Sequence, residues 1–457
     1  MRRRAFNSSI DDHYTFEAGE GFLLGQGSMA TVSAIKKKET GVSYALKTIQ
    51  LARISKAMRN ELRNEIDILM SLDHPNIIKP LELFEKNKQM YFVMEMCSGG
   101  DLYVRLPYSE KQAALYTNQL VSAVRYLHSH AICHRDLKFE NILFESKENA
   151  AMLKLIDFGL SKEYRPGHRM DEAVGTLYSM APEVLTGTYS QACDMWSTGV
   201  VVYMMLSGQM PFQGSSYDPE KAESEVIDKI KKCQYSFDDH AWRDISDEAK
   251  DFVSRLIRLA PSSRMTAEDA INHSWLKREW EDHRKLNSQL MNHDIGEGIV
   301  TSLKRYGSYG KLRKAALMVI AHRADVCQIR ALRDAFHEID VSHEGTITLE
   351  EMKHVLKPYE IDNEEVESIF NGMDVDESGR IGYTEFLAAT VEAHGVAKKE
   401  QLSEAFDRLD ADDSGFISAN NLKEVDSYIS YYRLLSSVSS FNHAIDRYWV
   451  QHTMQGK

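Results

Sequence analysis

The 457 residues are 43% hydrophobic and 27% charged, close to ordinary globular protein, which excludes wholesale disorder. That length allows two or three domains with cores of their own. The net charge of −13 is uneven: residues 331–426 hold 24 Asp and Glu against 8 Lys and Arg. An acidic C-terminal block on a near-neutral body argues for a bound cation or a basic partner segment, or for a solvating surface, rather than for nucleic acid. The five cysteines, Cys97, Cys133, Cys193, Cys233 and Cys327, form no CxxC pair, so neither a disulfide framework nor a zinc site is indicated, as in a reducing compartment. Met1 to Arg4 lacks the apolar run of a signal peptide, and Arg2 stands where N-myristoylation needs glycine. The most apolar run, Gly199 to Leu206, is too short to cross a bilayer. A cytoplasmic protein is expected, with the nucleus open.

Along the chain, short β-rich runs come first, such as Ser43 to Ile49 and Met90 to Met94, with one helical segment from Ala57 to Leu72. From Asp101 to about Trp280 apolar residues recur at three- and four-residue spacing, as from Ala113 to Leu127, which predicts helices. Residues 281–330 are a basic, partly amphipathic connector. Beyond Ala331 one unit repeats: a helix with a phenylalanine near its end, an acidic twelve-residue loop, then another helix.

The run Gly25-Gln-Gly27-Ser-Met-Ala30-Thr-Val32 lies between strand-like segments, where glycines let a hairpin approach phosphates without Cβ clashes. Fifteen residues past Val32, Ala45-Leu46-Lys47 offers a lysine for the α- and β-phosphates, with Glu65 on the next helix placed to hold it. Then follow His134-Arg135-Asp136-Leu-Lys138-Phe-Glu140-Asn141, Asp157-Phe158-Gly159 and Ala181-Pro182-Glu183. In that order and spacing these motifs resemble the eukaryotic protein kinases, and the match covers about Tyr14 to Trp275.

The resemblance implies an active enzyme using ATP and Mg²⁺, because no catalytic residue is lost. Phosphoryl transfer needs alignment and charge neutralisation more than covalent help. Asp136 would accept or orient the proton of the substrate hydroxyl, Asn141 and Asp157 would hold Mg²⁺, and Lys138 would steady the γ-phosphate. ATP contacts are expected at Leu24, Gly25, Gly27, Val32, Ala45, Lys47, Met94, Glu95, Cys97 and Asp101. Asp194 would brace the catalytic loop, and Glu183 would pair with Arg264. Lys138 and Thr176 look like serine/threonine kinases. Glu140, helped by Asp101, matches the position that meets an arginine before the phosphorylated residue, predicting an Arg-x-x-Ser/Thr preference; solvated surface acids are the alternative. Between Lys162 and Gly175 there is no Ser or Thr. Glu172, four residues before Thr176, would stand in for an activation-loop phosphate opposite Arg135.

Three acidic loops follow the EF-hand pattern of oxygens at positions 1, 3 and 5, a carbonyl at 7 and a bidentate Glu at 12, with glycine at 6. Loop two matches in full, through Asp374, Asp376, Ser378, Arg380 (carbonyl) and Glu385. Loop one has Asp340, Ser342, Glu344, Thr346 (carbonyl) and Glu351, with substitutions at positions 3 and 5 that predict weaker binding. Loop three has Asp410, Asp412, Ser414 and Phe416 (carbonyl) but Asn421 at position 12, so weak calcium binding or a purely structural role is expected. Ile347 and Ile381 should pair between loops. Ser427 to Tyr431 reads as the remnant of a fourth unit.

In the connector, Leu312, Ala315, Ala316, Val319 and Ile320 line one helical face, Leu317 and Met318 the other, and Lys304, Arg305, Lys311, Arg313 and Lys314 add charge. Such a helix suits a kinase groove or an opened EF-hand pair, or serves as an ordinary linking helix. Arg305-Tyr-Gly-Ser308 reads as an autophosphorylation or pseudosubstrate site. With this order of parts the chain resembles the calcium-dependent protein kinases of plants and protists. The expected fold is α+β: a bilobal kinase with a β-rich N-lobe and helical C-lobe, followed by an all-α EF-hand domain. Boundaries are expected at 1–13 (basic extension), 14–276 (kinase), 277–330 (autoinhibitory junction), 331–433 (calmodulin-like) and 434–457 (unassigned). The resemblance implies that the junction blocks the kinase at resting calcium, and that Ca²⁺ makes the EF-hand domain take hold of it. Expected partners are protein substrates and the chain's own junction helix, in a monomer.

Overall fold

A computed structural model describes residues 9–16, 23–26, 30–51, 56–165, 167–279, 293–324, 328–359 and 361–392, with scattered positions from 395 to 417. Gly27, Asp412, Ser414, Phe416, Asn421, Cys327 and the Ser427 to Tyr431 segment lie outside the described residues. The chain divides into two compact units, one carrying residues 2–296 together with 340–346 and the other residues 297–339 and 347–457.

In the first unit a short helix α1 (Ile10–His13) leads into a six-stranded sheet. Its strands are β1 (Tyr14–Phe16), β2 (Leu23–Gln26), β3 (Ala30–Lys37), β4 (Ser43–Gln50), β5 (Pro80–Lys86) and β6 (Gln89–Met94). The spatial order is β1-β3-β4-β6-β5, with β2 also on β3, and every pairing is antiparallel. Ile10, Tyr14, Ile35, Leu46, Phe84 and Val93 form the core on one face, as period-2 alternation requires. Helix α2 (Lys56–Ser71) interrupts the strands, one residue off the Ala57 to Leu72 expectation, and buries Glu65, Ile66, Ile68 and Leu69.

Helix α3 (Glu110–Ser129) opens the helical part with a capping box, Ser109 and Gln112 each bonding the other's backbone amide, which satisfies donors that a helix start leaves open. After it come β7 (Ile132–Cys133), β8 (Ile142–Phe144), β9 (Leu153–Leu155) and β10 (Lys162–Glu163). Helices α4 (Pro182–Leu185), α5 (Ala192–Ser207), α6 (Pro219–Lys231), α7 (Asp247–Leu256) and α8 (Ala267–Ile271) complete the lobe. Helix α5 is mostly apolar and buried from Cys193 to Leu206, as a central core helix should be. It ends at Gly208, whose φ of 70° is cheap only for glycine. Trp196 on α5 stacks on Phe212, with centroids 5.5 Å apart. Truncating such a buried ring costs about 3–5 kcal/mol.

The second unit begins with α9 (His293–Gly307) and α10 (Lys311–Arg323). It continues through α11 (Arg330–Ile339), β11 (Thr346–Ile347), α12 (Leu349–Leu356), α13 (Asn363–Met373), β12 (Ile381–Gly382) and α14 (Tyr383–Thr390). Strands β11 and β12 pair, and Ile347 and Ile381 are fully buried, joining the two loops as expected. Helix α10 packs along α14. Its Ala315, Leu317, Met318, Val319 and Ile320 are buried while Leu312 stays exposed, so burial extends over both apolar sides. Among the described residues no helix is long and apolar enough to cross a membrane.

Candidate functional site

The cleft of the first unit is assembled from strand register. Val32 on β3 faces Lys47 on β4, and Lys47 faces Phe92 on β6. The Lys47 ammonium pairs with Glu65 of α2 and stands 3.8 Å from Asp157. Burial alone would lower this lysine, but the two carboxylates outweigh it and raise it. Asp157 adopts a φ of 61° and Arg135 one of 69°, strained backbone of the kind found at functional sites. Gly159 follows so closely that a Cβ would sit 3.3 Å from Asp157 Oδ1.

Asp136, Asn141, Lys138 and Thr176 meet as one hydrogen-bonded group. Asn141 Nδ2 donates to the Asp136 carbonyl at 2.8 Å and to its carboxylate at 3.0 Å. Lys138 Nζ lies 2.8 Å from Asp136 Oδ2 and 2.7 Å from Thr176 Oγ1, which donates to Asp136 Oδ1 at 2.7 Å. Burial would push the Asp136 carboxyl up, yet the bonds from Lys138 and Thr176 hold it below its ordinary value. It is therefore an ionised acceptor at neutral pH. Asp194 sits beneath and accepts the amides of His134 and Arg135 and the His128 ring nitrogen, each at 2.9 Å. Glu183 and Arg264 form a two-pronged pair at 2.5 and 2.7 Å. Removing one partner of such a buried pair costs about 3–5 kcal/mol.

Arg135 donates to Glu172 at 2.6 Å, Lys162 reaches the other Glu172 oxygen at 2.9 Å, and the Tyr189 hydroxyl bonds the Glu172 carbonyl at 2.8 Å. The Arg135 guanidinium, then Lys162, hold the Glu172 carboxyl below its usual range. Glu140 accepts the Tyr178 hydroxyl at 2.5 Å, and Asp101 caps the turn after it through the Tyr103 amide at 3.0 Å. Met94 ends β6 opposite Ala45. The Glu95 side chain turns to Lys154 at 2.9 Å and the Lys79 amide at 2.7 Å. Burial pushes the Cys97 thiol up. His128, Lys162, Tyr178 and Tyr189 went unforeseen, because their roles depend on tertiary placement and no local motif marks them.

In the second unit loop two closes on itself. Asp374 accepts the Ser378 and Gly379 amides at 2.8 Å, Asp376 the Ser378 amide at 3.0 Å, and Glu385 the Val375 and Gly382 amides at 2.8 Å. Gly379 has a φ of 77°, the sharp turn that position 6 requires. Ligand oxygens of Asp374, Asp376 and Glu385 come within 4.8 Å of one another. Burial, then repulsion from Asp376, pushes the Glu385 carboxyl well up, and burial also raises Asp376. Like charges brought together out of water fit a bound Ca²⁺, and Asp374, Asp376, Ser378, the Arg380 carbonyl and Glu385 would hold it.

In loop one, Asp340 accepts the Glu344 and Gly345 amides at 3.0 and 2.9 Å, and Glu351 the Thr348 amide at 2.9 Å. Among the described residues Asp340, Glu344 and Glu351 are not gathered within 4.8 Å as the loop-two acids are. Of loop three, Asp410 is described and buried.

The protein kinase domain model matches residues 20–276, an EF-hand domain pair 329–391, and a further EF hand 402–425. Calcium-dependent protein kinase 22 of Arabidopsis thaliana is 35% identical over 430 residues, covering 91% of this chain and 83% of its own length. Calcium-dependent protein kinase 4 of Plasmodium berghei (strain Anka) is 34% identical, covering 88% of this chain and 78% of its own. With a phosphotransfer cleft and calcium loops in one polypeptide, the chain belongs to the calcium-dependent protein kinase family.

Proposed function

We propose that this kinase phosphorylates serine or threonine in protein segments of the form Arg-x-x-Ser/Thr, is held inactive by its junction, and is released by calcium. The observation that carries the reading is the pairing, within one unit, of a calcium-ready loop two with the junction helix α10 packed along α14. Arg313 Nη2 and the Tyr309 hydroxyl tie the junction to Glu392 at 2.8 and 2.7 Å. Both partners of these bonds lie within that one unit, which supports a calcium-driven hold on the junction.

Acceptor chemistry follows from Thr176 and Lys138 on either side of the Asp136 carboxylate. A substrate hydroxyl arriving there meets an ionised acceptor, and Lys47, Asn141 and Asp157 stand ready for ATP and its Mg²⁺. Mg²⁺ supplies charge neutralisation on the phosphates when bound. Glu140 and Asp101 supply negative charge for a substrate arginine. Glu172, already bonded to Arg135, takes the place of an activating phosphate, so calcium alone sets activity.

The deciding experiment measures phosphorylation of an Arg-x-x-Ser peptide with Mg-ATP, in EGTA and across calcium from ~10⁻⁸ to 10⁻⁴ M. Activity should rise with calcium. Flat activity would support a second reading, a constitutive kinase, which the dispersed acids of loop one favour.

A further inference from the structure

Helix α13 carries a glycine, Gly372, one residue before its C-terminal end. Glycine inside a helix costs about 1 kcal/mol against alanine, so the position calls for a reason. A Cβ on Gly372 would stand 2.6 Å from the Cα of Gly307 at the end of α9. The two backbones therefore touch where the junction crosses the helix that feeds loop two. Lys314 of α10 lies over the same spot. Its ammonium donates to the Gly372 carbonyl at 2.7 Å and reaches the Gly307 carbonyl at 3.4 Å, with the Tyr306 ring centroid 5.3 Å away. Tyr306 is fully buried, which keeps water from this corner.

The last carbonyls of a helix have no partner within it, and a cation there is favoured by the helix dipole. Asp374, the first ligand of loop two, follows Gly372 by two residues, and its amide bonds Phe370 O at 2.9 Å. The carbonyl that Lys314 holds is thus part of the turn that aims Asp374.

We propose that Lys314 and the Gly307–Gly372 crossing form a latch that couples seating of the junction to the geometry of calcium loop two, with Lys314 as a positioning residue for Asp374. The proposal rests on the calcium-release reading and names the contact through which it acts. Coupling of this kind is reciprocal: a junction that seats better with calcium must strengthen calcium binding by the same factor.

The test uses the full chain with Lys314→Met, Lys314→Arg and Gly372→Ala. Calcium isotherms come from titration calorimetry, and kinase activity against calcium and melting temperature in EGTA are measured on the same samples. Lys314→Met and Gly372→Ala should raise the half-saturating calcium of loop two about 3- to 10-fold, the range for a charged hydrogen bond at a helix end. Lys314→Arg should restore it. Isotherms that superimpose on the unaltered protein overturn the latch, including the case in which only melting temperature falls. If the unaltered protein shows calcium-independent activity, the release reading fails, while the isotherms still decide the latch.

Discussion

Two acidic centres in this molecule are built on opposite principles. Asp136 stands among Lys138, Thr176 and Asn141, and its neighbours hold it ionised below the ordinary carboxylate range. Burial, then repulsion from Asp376 and Asp374, pushes Glu385 upward. One centre has its compensation built into the protein, so it is ready to work once substrate arrives. The other gathers like charges at a cost that a divalent cation relieves. The cleft gains nothing from such gathered charge and is pre-organised instead.

The largest effect should follow from breaking the cleft. Asp136→Asn keeps the shape but removes the ionised acceptor, and kcat should fall by about 10²- to 10⁴-fold. Calcium isotherms of the variant should match the unaltered protein; a shift there would mean that the two centres are not separate. Next comes Glu385→Gln, which removes the bidentate ligand of loop two. It should raise the calcium needed for half-maximal activity about 10-fold or more, with kcat at saturating calcium preserved. A drop in that saturating rate would place loop two in the catalytic machinery and collapse the contrast.

Much of this contrast was readable in the residues alone, because both centres are built on short motifs whose chemistry is local. Asp136, Asn141 and Asp157 belong to runs whose spacing the phosphoryl transfer dictates, and Asp374 to Glu385 is one continuous loop. Helix α3 exceeded its apolar core, Ala113 to Leu127, only by short polar segments at each end, the first of them closed by the Ser109–Gln112 box. What stayed hidden needed three dimensions. The Glu95 side chain follows the end of β6 yet turns to Lys154, which is 59 residues on in sequence and has no motif of its own. Tyr178 reaches Glu140 across 38 residues. Nothing in the spacing of Gly307 and Gly372 announces that their backbones meet. In loop one, Ser342 and Glu344 stand at positions 3 and 5, and among the described residues its acids are not gathered as those of loop two are.

The smallest effect concerns Glu172, a half-exposed side chain whose ion pair with Arg135 is screened by water. Glu172→Gln should lower activity at saturating calcium roughly 2- to 5-fold, in enzyme already treated with phosphatase. Its pH dependence sharpens the reading. The Glu172 carboxyl is depressed in the folded protein, so its pairing contributes above the ordinary glutamate value of about 4.3. The pairing is lost only as pH falls through the lower folded value. A phosphate anchor behaves differently, since its second ionisation, near pH 6, removes charge in the physiological window. The activity ratio of unaltered protein to Glu172→Gln should therefore stay constant from about pH 8 to 5.5, a window lying wholly above the glutamate ionisation. A ratio near one across the whole window would mean that this carboxylate does not hold Arg135.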